Sequence, residues 1–516
     1  MTSSIRRGQG RPVNSADAVE WRREANRQRE VALRLAAEFQ VREKARRARE
    51  HNEALSKKEK RSIPNTADDE EEVAEPGDES TKSLFKEGDQ VWLFMERVKS
   101  GLTKKLAHRW HGPFRVKKKV EEFAFSMSTS HTVFLLHDTV LSRRCKVFVE
   151  AHQSRGVNLG GWLVAEHWMT ADAAFWQGVE DHFANSGEYT SISKASSPDN
   201  IRTKLGEHHA AFITEDDIAQ IATAGLNTVR VPLGFWILGY DNFDPSSQHE
   251  WQVYTRGTIA YLDQLIRYWA KKHNVAVLLS LHAAKGSQNG ADHSSPASPG
   301  HPFWSQYSEN VANTIEVARF LADRYRGDEA FLGIGLLNEP NGSTDEKVLY
   351  QYYKDAYQAV RSTGSDCVLS IMPMLQKQSP DEMVGFMEAP VFTNVWVEWH
   401  PYFIWGYEHT PDDQLVNVAV KQEYRGRVDK WNARPGHNRL FIGEWSVATA
   451  SNMRRTNADL FYTFAMEQLK VHEAAEGGWT LWSWKASAGS NRDVEDWSLH
   501  KLLADDRLRR ILHNYQ

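Results

Sequence analysis

From residue 157 onward the chain repeats one pattern: a short run of apolar, β-branched residues, then a longer stretch with apolar side chains every three or four positions. The runs fall at 157–164, 228–233, 275–282, 331–337, 367–372, 395–402, 440–445 and 479–484. Near-continuous hydrophobicity marks strands buried on both faces, as in parallel sheets. Between most of them lie stretches such as 215–224, 258–272, 311–326, 347–361 and 458–473, which read as amphipathic helices. Eight strands separated by helices predict an α/β fold, a (β/α)8 TIM barrel over residues 151–516, whose chemistry sits at the C-terminal ends of the strands. A doubly wound open sheet is the alternative. It calls for a glycine-rich phosphate loop after an early strand, and Gly160-Gly161-Trp162 does not supply one.

The first 150 residues follow other rules. Residues 17–55 are strong helix formers, highly charged, with only a thin apolar stripe of Val31, Leu35 and Phe39. A basic run at 57–61 then meets the acidic cluster 68–72, a composition unable to bury enough apolar surface to fold. Residues 1–84 are therefore predicted to be a charged helix and a disordered linker. Residues 85–150 carry β-prone runs at 90–95 and 112–116 and predict a small SH3-like or chromo-like β-barrel. A net charge of −5 disfavours nucleic acid as a partner of the whole chain, and no window is apolar enough to span a membrane. The basic N-terminus has no apolar stretch behind it, so no secretory signal is expected as written. With Cys145 and Cys367 the only cysteines, a disulfide framework is excluded.

Polar residues interrupt the apolar runs at their C-terminal ends: Arg230, His282, Asn338-Glu339, His400 with Tyr402, Glu444, and Trp482 with Trp484. A charge beside a buried strand is costly unless paired. One such residue would be a structural salt bridge; several converging on one barrel face predict a site. Two are glutamates, and glycoside hydrolysis needs two carboxyl groups, one to protonate the leaving oxygen and one to attack, or activate water, at the anomeric carbon. The 19 tryptophans suit the flat faces of pyranose rings.

The segments Leu336-Leu-Asn-Glu-Pro340 and Phe441-Ile-Gly-Glu-Trp-Ser446 resemble the acid/base and nucleophile motifs of glycoside hydrolase family 5. With Arg155-Gly-Val-Asn-Leu-Gly-Gly-Trp162, Val229-Arg-Val-Pro232, Gly286-Ser-Gln-Asn-Gly290 and Trp482-Ser-Trp-Lys485, the chain from Arg155 onward is similar to the exo-β-1,3-glucanases, or glucan 1,3-β-glucosidases, of that family. The resemblance implies Glu339 as general acid/base and Glu444 as nucleophile of a retaining double displacement. It further implies that Arg230 and His282 support the nucleophile and that Asn338 holds the sugar 2-hydroxyl. His400 and Tyr402 would flank the carboxylates, and Glu166, Trp168 and Asp292 would bind the terminal glucose. Trp405 would border the leaving group and Trp484 would form the floor under the pyranose ring. No metal or organic cofactor is implied; the partner would be a β-glucan, the chain a monomer, the location extracellular or cell wall. A separate short resemblance, Phe85 to Phe125 with its GD-VWL start and RW-GPF centre, is to the small barrel near the end of the integrase of Ty3/gypsy-type retrotransposons. Residues 85–150 then read first as a remnant of a transposon insertion or of a joined gene, and second as a nucleic-acid contact confined to them, through Lys104, Lys105, Arg109, Arg115 and residues 117–119.

The roles set electrostatic expectations: Glu339 raised by burial and by Glu444, and Glu444 kept ionised by Arg230 and Tyr402. Departures from the family pattern at Ser280, Ala283 and Lys285 put support of His282 in question, and Ala291 removes one side of an aromatic clamp opposite Trp405. Three other readings remain open: a β-1,4-glucanase of the same fold, a glucan-binding lectin, and a DNA-binding protein with a passenger barrel.

Overall fold

The computed structural model describes residues 153–513, apart from 245–248 and 488–491, and four strands before them. The charged segment 1–84 and the basic side chains of 104–119 lie outside the described residues. By contacts the chain divides into two compact units, Met1–Thr139 and Val140–Gln516. In the first, β1 (Gln90–Phe94), β2 (Trp110–Glu121), β3 (Ala124–Thr129) and β4 (Thr132–His137) form an antiparallel sheet in sequence order.

In the second unit eight parallel strands close on themselves: β5 (Ser154–Asn158), β6 (Thr228–Gly234), β7 (Ala276–Ala283), β8 (Phe331–Gly335), β9 (Val368–Ile371), β10 (Val395–Trp399), β11 (Arg439–Ile442) and β12 (Gly478–Leu481). The barrel closes where β12 pairs with β5, Trp479 beside Arg155. Helices Glu215–Thr223, Ser308–Tyr325, Glu346–Ser362 and Ala458–His472 surround it. This is the predicted (β/α)8 barrel.

Two features depart from the sequence pattern. The first strand ends at Asn158, and residues 159–211 form a loop, several short helices and the 14-residue helix Pro198–Ala211 before Glu215. Between β10 and β11 the chain is helical through Asp412–Gln414, Leu415–Tyr424 and Arg425–Asn432, the middle part with π-type bonding. Its valines favour strands, and a π stretch breaks the 3.6-residue period that would have revealed it.

Alternation along the strands sorts the side chains into two cores. Val277, Leu279 and Leu281 of β7 join the large cluster between barrel and helices, whereas Ala276 and Leu278 join Leu332, Val368, Trp396 and Phe441 in a small apolar cluster. Toward the C-terminal ends the strands turn polar: Arg230, Ser280, His282, Ser370, Glu398 and His400 are all buried. The apolar cluster is the foundation on which the charged layer rests.

Candidate active site

Arg230, in the middle of β6, organises this layer. Its Nη1 donates to Glu444 Oε1 at 2.8 Å and Asn158 Oδ1 at 2.9 Å. Its Nη2 donates to Asn338 Oδ1 at 2.7 Å and lies 2.9 Å from Glu398 Oε1. A buried guanidinium is tolerable when its fork is matched in this way. Glu444 sits just beyond β11, and its second oxygen accepts from the Tyr402 hydroxyl at 2.9 Å. Asn158 also donates to the carbonyl of Gly443 at 2.9 Å, fixing the backbone before Glu444.

Glu339 follows β8 in a left-handed conformation, φ 46°, which a non-glycine residue adopts only when its surroundings hold it there. Its NH points at Met372 Sδ, 3.3 Å away, and its carbonyl accepts from Asn289 Nδ2 at 3.2 Å. Its carboxylate meets His400 Nδ1 at 2.7 Å, with His293 Nε2 at 3.5 Å on the other oxygen. His400 Nε2 lies 3.0 Å from Glu398 Oε1, and its Nδ1 lies 3.6 Å from Glu444. Oxygens of Glu339 and Glu444 lie within 4.8 Å of one another.

The electrostatics differ from the sequence expectation, and His400 is the reason. Burial alone would make the imidazole neutral, but Glu444, Glu339 and Glu398 push it up to about 9, so it is a cation at neutral pH. At Glu339 burial pushes the carboxyl up, yet the His400 hydrogen bond and charge, with His293 and Arg230, outweigh it, and the net direction is down rather than up. Glu444 is more distant from His400; burial and the charge of Glu339 prevail there over His400 and Arg230, and it is raised. Glu398 resists burial through Arg230, His400 and Ser370 and is held at about 2. His282 is pushed well below its usual value by burial and by His293, Arg230 and His400, so it is neutral.

The remaining predicted residues fall around this centre. Glu166 is buried, accepts from Trp168 Nε1 at 2.9 Å and keeps Oε1 unpartnered; burial, then the charges of Asp292, Glu444 and Glu339, raise it far above the usual carboxylate range. Trp168 packs edge-on against Trp497, which also neighbours Tyr402 and Trp405. Trp405 is 65% exposed. Ser280 Oγ lies 3.4 Å from His282 Nδ1, and Gln288 spans the carbonyls of His282 and Asn338 at 2.8 and 2.7 Å. Lys285 pairs with buried Asp241 at 2.6 Å.

Trp484 requires a correction. It is fully buried beneath the mouth, its indole NH donating to Asp217 Oδ1 at 2.9 Å and its ring meeting His500 edge-on, so it offers no face to a sugar. The ring on the site side is Trp482, parallel to His282 within 9° at 5.4 Å and neighbouring Trp168 and Tyr402. Gly160 leaves room for it: a Cβ there would meet the indole at 2.8 Å. Asn158, His293 and Glu398 also belong to the site but escaped the sequence reading. Only Glu398 left a signal, a lone carboxylate inside the apolar run Val395-Trp-Val-Glu-Trp399.

Glu339, His400 and Glu444 stand close enough to offer one ligand atom each to a metal ion. The proton held by His400 to about pH 9 opposes coordination. Two carboxyls on one barrel face, with an oxygen of each within 4.8 Å, suit glycoside cleavage.

The family model described as "Cellulase (glycosyl hydrolase family 5)" matches residues 189–488. The chain belongs to glycoside hydrolase family 5. This family 5 chain is 31% identical over 376 residues to the glucan 1,3-beta-glucosidase of Blumeria graminis, covering 65% of the present chain and 82% of that one. It is 27% identical over 424 residues to the probable glucan 1,3-beta-glucosidase A of Aspergillus clavatus, covering 72% and 92%. Among solved structures the rutinosidase from Aspergillus niger superimposes with a TM-score of 0.56 at 17% identity, covering 69% of this chain and 98% of that one, a likeness of fold. The protein is a glycoside hydrolase.

Proposed function

We propose that this hydrolase is a retaining exo-β-1,3-glucanase that removes glucose from the non-reducing end of β-1,3-glucan. The observation that carries the mechanism is that one oxygen of Glu339 and one of Glu444 lie within 4.8 Å of each other, a close approach compatible with the carboxyl separation of about 5–5.5 Å typical of retaining pairs. The substrate rests on the named relatives.

In the first step Glu444, oriented by Arg230 and Tyr402, attacks the anomeric carbon. The glycosidic bond breaks as its oxygen receives a proton from the Glu339–His400 pair, with His400 replenishing Glu339 across 2.7 Å. In the second step Glu339 takes a proton from water and passes it back to His400, while the water oxygen displaces Glu444 and restores the starting configuration at the anomeric carbon. Asn338 Nδ2 and Glu166 Oε1, both buried and unpartnered, are placed to bond sugar hydroxyls. Trp482, in place of Trp484, is the ring against which the pyranose packs.

Product analysis on a linear β-1,3-glucan tests the reading. Glucose as the sole early product, released first as the β-anomer, is expected. Release of larger oligosaccharides would overturn the exo assignment, and preference for a β-1,4-glucan the linkage.

A further inference from the structure

The carboxylate of Glu398 touches neither oxygen of the two proposed catalytic glutamates, yet it is bonded to a group that touches each. Oε1 lies 2.9 Å from Arg230 Nη2 and 3.0 Å from His400 Nε2, and Oε2 accepts from Ser370 Oγ. Arg230 holds Glu444, and His400 holds Glu339. The backbone is shaped to admit this carboxylate: a Cβ on Gly443 would lie 1.9 Å from Oε1, and one on Gly335 3.4 Å from Oε2. A charged side chain at the centre of a barrel, fully bonded and given space by glycine beside the nucleophile, is not filler, because burying an ion pair is seldom a net gain in stability.

We propose that Glu398 is a positioning residue that keeps His400 a doubly donating imidazolium and joins the acid/base half of the site to the nucleophile half. The inference rests on the mechanism proposed above. The groups facing His400 are the carboxyls of Glu339, Glu398 and Glu444, with Arg230, His282 and His293 as the nearby cation and imidazoles. Replacing Glu398 with glutamine removes the negative charge opposite Nε2–H and leaves a weaker, neutral acceptor. The amide oxygen faces Arg230 and His400 and its NH2 faces Ser370, so the cation on His400 loses its nearest counter-charge, gives up its proton at lower pH and deprives Glu339 of its proton reserve.

The experiment compares full-length wild type with Glu398→Gln and Ser370→Ala in two assays. The first is the pH dependence of kcat/KM on β-1,3-glucan and on 2,4-dinitrophenyl β-glucoside, whose leaving group needs no proton. The second is the titration of the downfield imidazole N–H proton resonance, assigned to His400 by its disappearance in His400→Gln. In Glu398→Gln the alkaline limb moves down by at least about one pH unit and glucan turnover falls about 100-fold, with less than about a 10-fold loss on the activated glucoside. The His400 signal, expected to persist to about pH 9 in wild type, is lost near neutrality. Ser370→Ala shifts both readouts the same way by less. A folded Glu398→Gln with the wild-type alkaline limb and wild-type His400 titration overturns the proposal, as does an unchanged Ser370→Ala if Glu398→Gln does not fold. Absence of glucan turnover in wild type, with the His400 titration responding as stated, would instead reject the proposed substrate and leave the positioning role intact.

Discussion

Two histidines, both removed from solvent, end up at opposite extremes of basicity. His400, inside the barrel mouth, is pushed up to about 9; His472, in the layer between barrel and helices, is pushed down to about 3 by burial alone. The surroundings explain the gap. In the mouth Asn158, Arg230, Glu398, His400, Glu339, Glu444 and Tyr402 are linked by successive hydrogen bonds. Around His472 the neighbours are the rings of Tyr424 and Trp445, and both its nitrogens, the Tyr424 hydroxyl and the Trp445 indole NH lack partners among the described residues. Burial therefore does not by itself make a working group. Connected acceptors convert a buried imidazole into a proton store, and isolation converts it into packing.

The largest expected effect lies on the connected side. Glu444→Gln keeps shape and removes the nucleophile, so turnover should fall by at least about 10⁴-fold with the protein folded, as read by initial rates beside thermal melting. Next, His400→Gln should lower kcat on glucan by about 100-fold and abolish the alkaline limb near pH 9; a limb that stays would locate that proton elsewhere.

The two tryptophans of the Trp482-Ser-Trp484 segment sharpen the contrast further. Trp482→Ala should cost about 100-fold in kcat/KM and, because the ring is buried, also lower the melting temperature by several degrees. Trp484→Phe, which leaves Asp217 without its indole donor, should lower the melting temperature by a few degrees and leave kcat/KM within about 5-fold. The reverse ordering would restore Trp484 as the sugar platform.

The smallest effect belongs to the isolated side. His472 has a folded value near 3, below that of the unfolded chain, so the unfolded state binds the extra proton and stability drains away as pH falls from about 6.5 toward 3. His472→Leu should flatten that slope, sparing about 2 °C of the melting temperature lost between pH 6.5 and 4. An unchanged slope would mean that His472 is charged within the fold.

The barrel was legible in the sequence because each parallel strand is buried on both faces and so reads as an unbroken apolar run. The helix over residues 412–432 was not, since Val416, Val418 and Val420 carry strand propensity and π bonding shifts the period. Within the site, the side chains that break apolar strands, such as Arg230 and His282, or sit at their ends, such as Glu339 and Glu444, could be named from the chain alone. What could not be read was orientation. Trp482 and Trp484 are both apolar rings two residues apart, and only the packing against Asp217 and His282 separates floor from foundation. The directions at Glu339 and Glu444 were hidden for a related reason: they depend on His400 lying nearer one carboxylate than the other.

The closure of β12 against β5 carries a consequence for biosynthesis. Asn158, which steadies both Arg230 and the backbone before Glu444, bonds to the carbonyl of Thr480, 322 residues further along the chain. At about 5–20 residues per second, β5 emerges from the ribosome tens of seconds before its partner exists. Throughout that interval its edge, and the unfinished charged layer it will complete, stay open to mispairing. The last strand to be made is thus the one that closes the catalytic mouth, so a nascent chain stopped short of Gly478 holds both proposed catalytic glutamates but lacks the strand, and Trp482 after it, that complete the mouth.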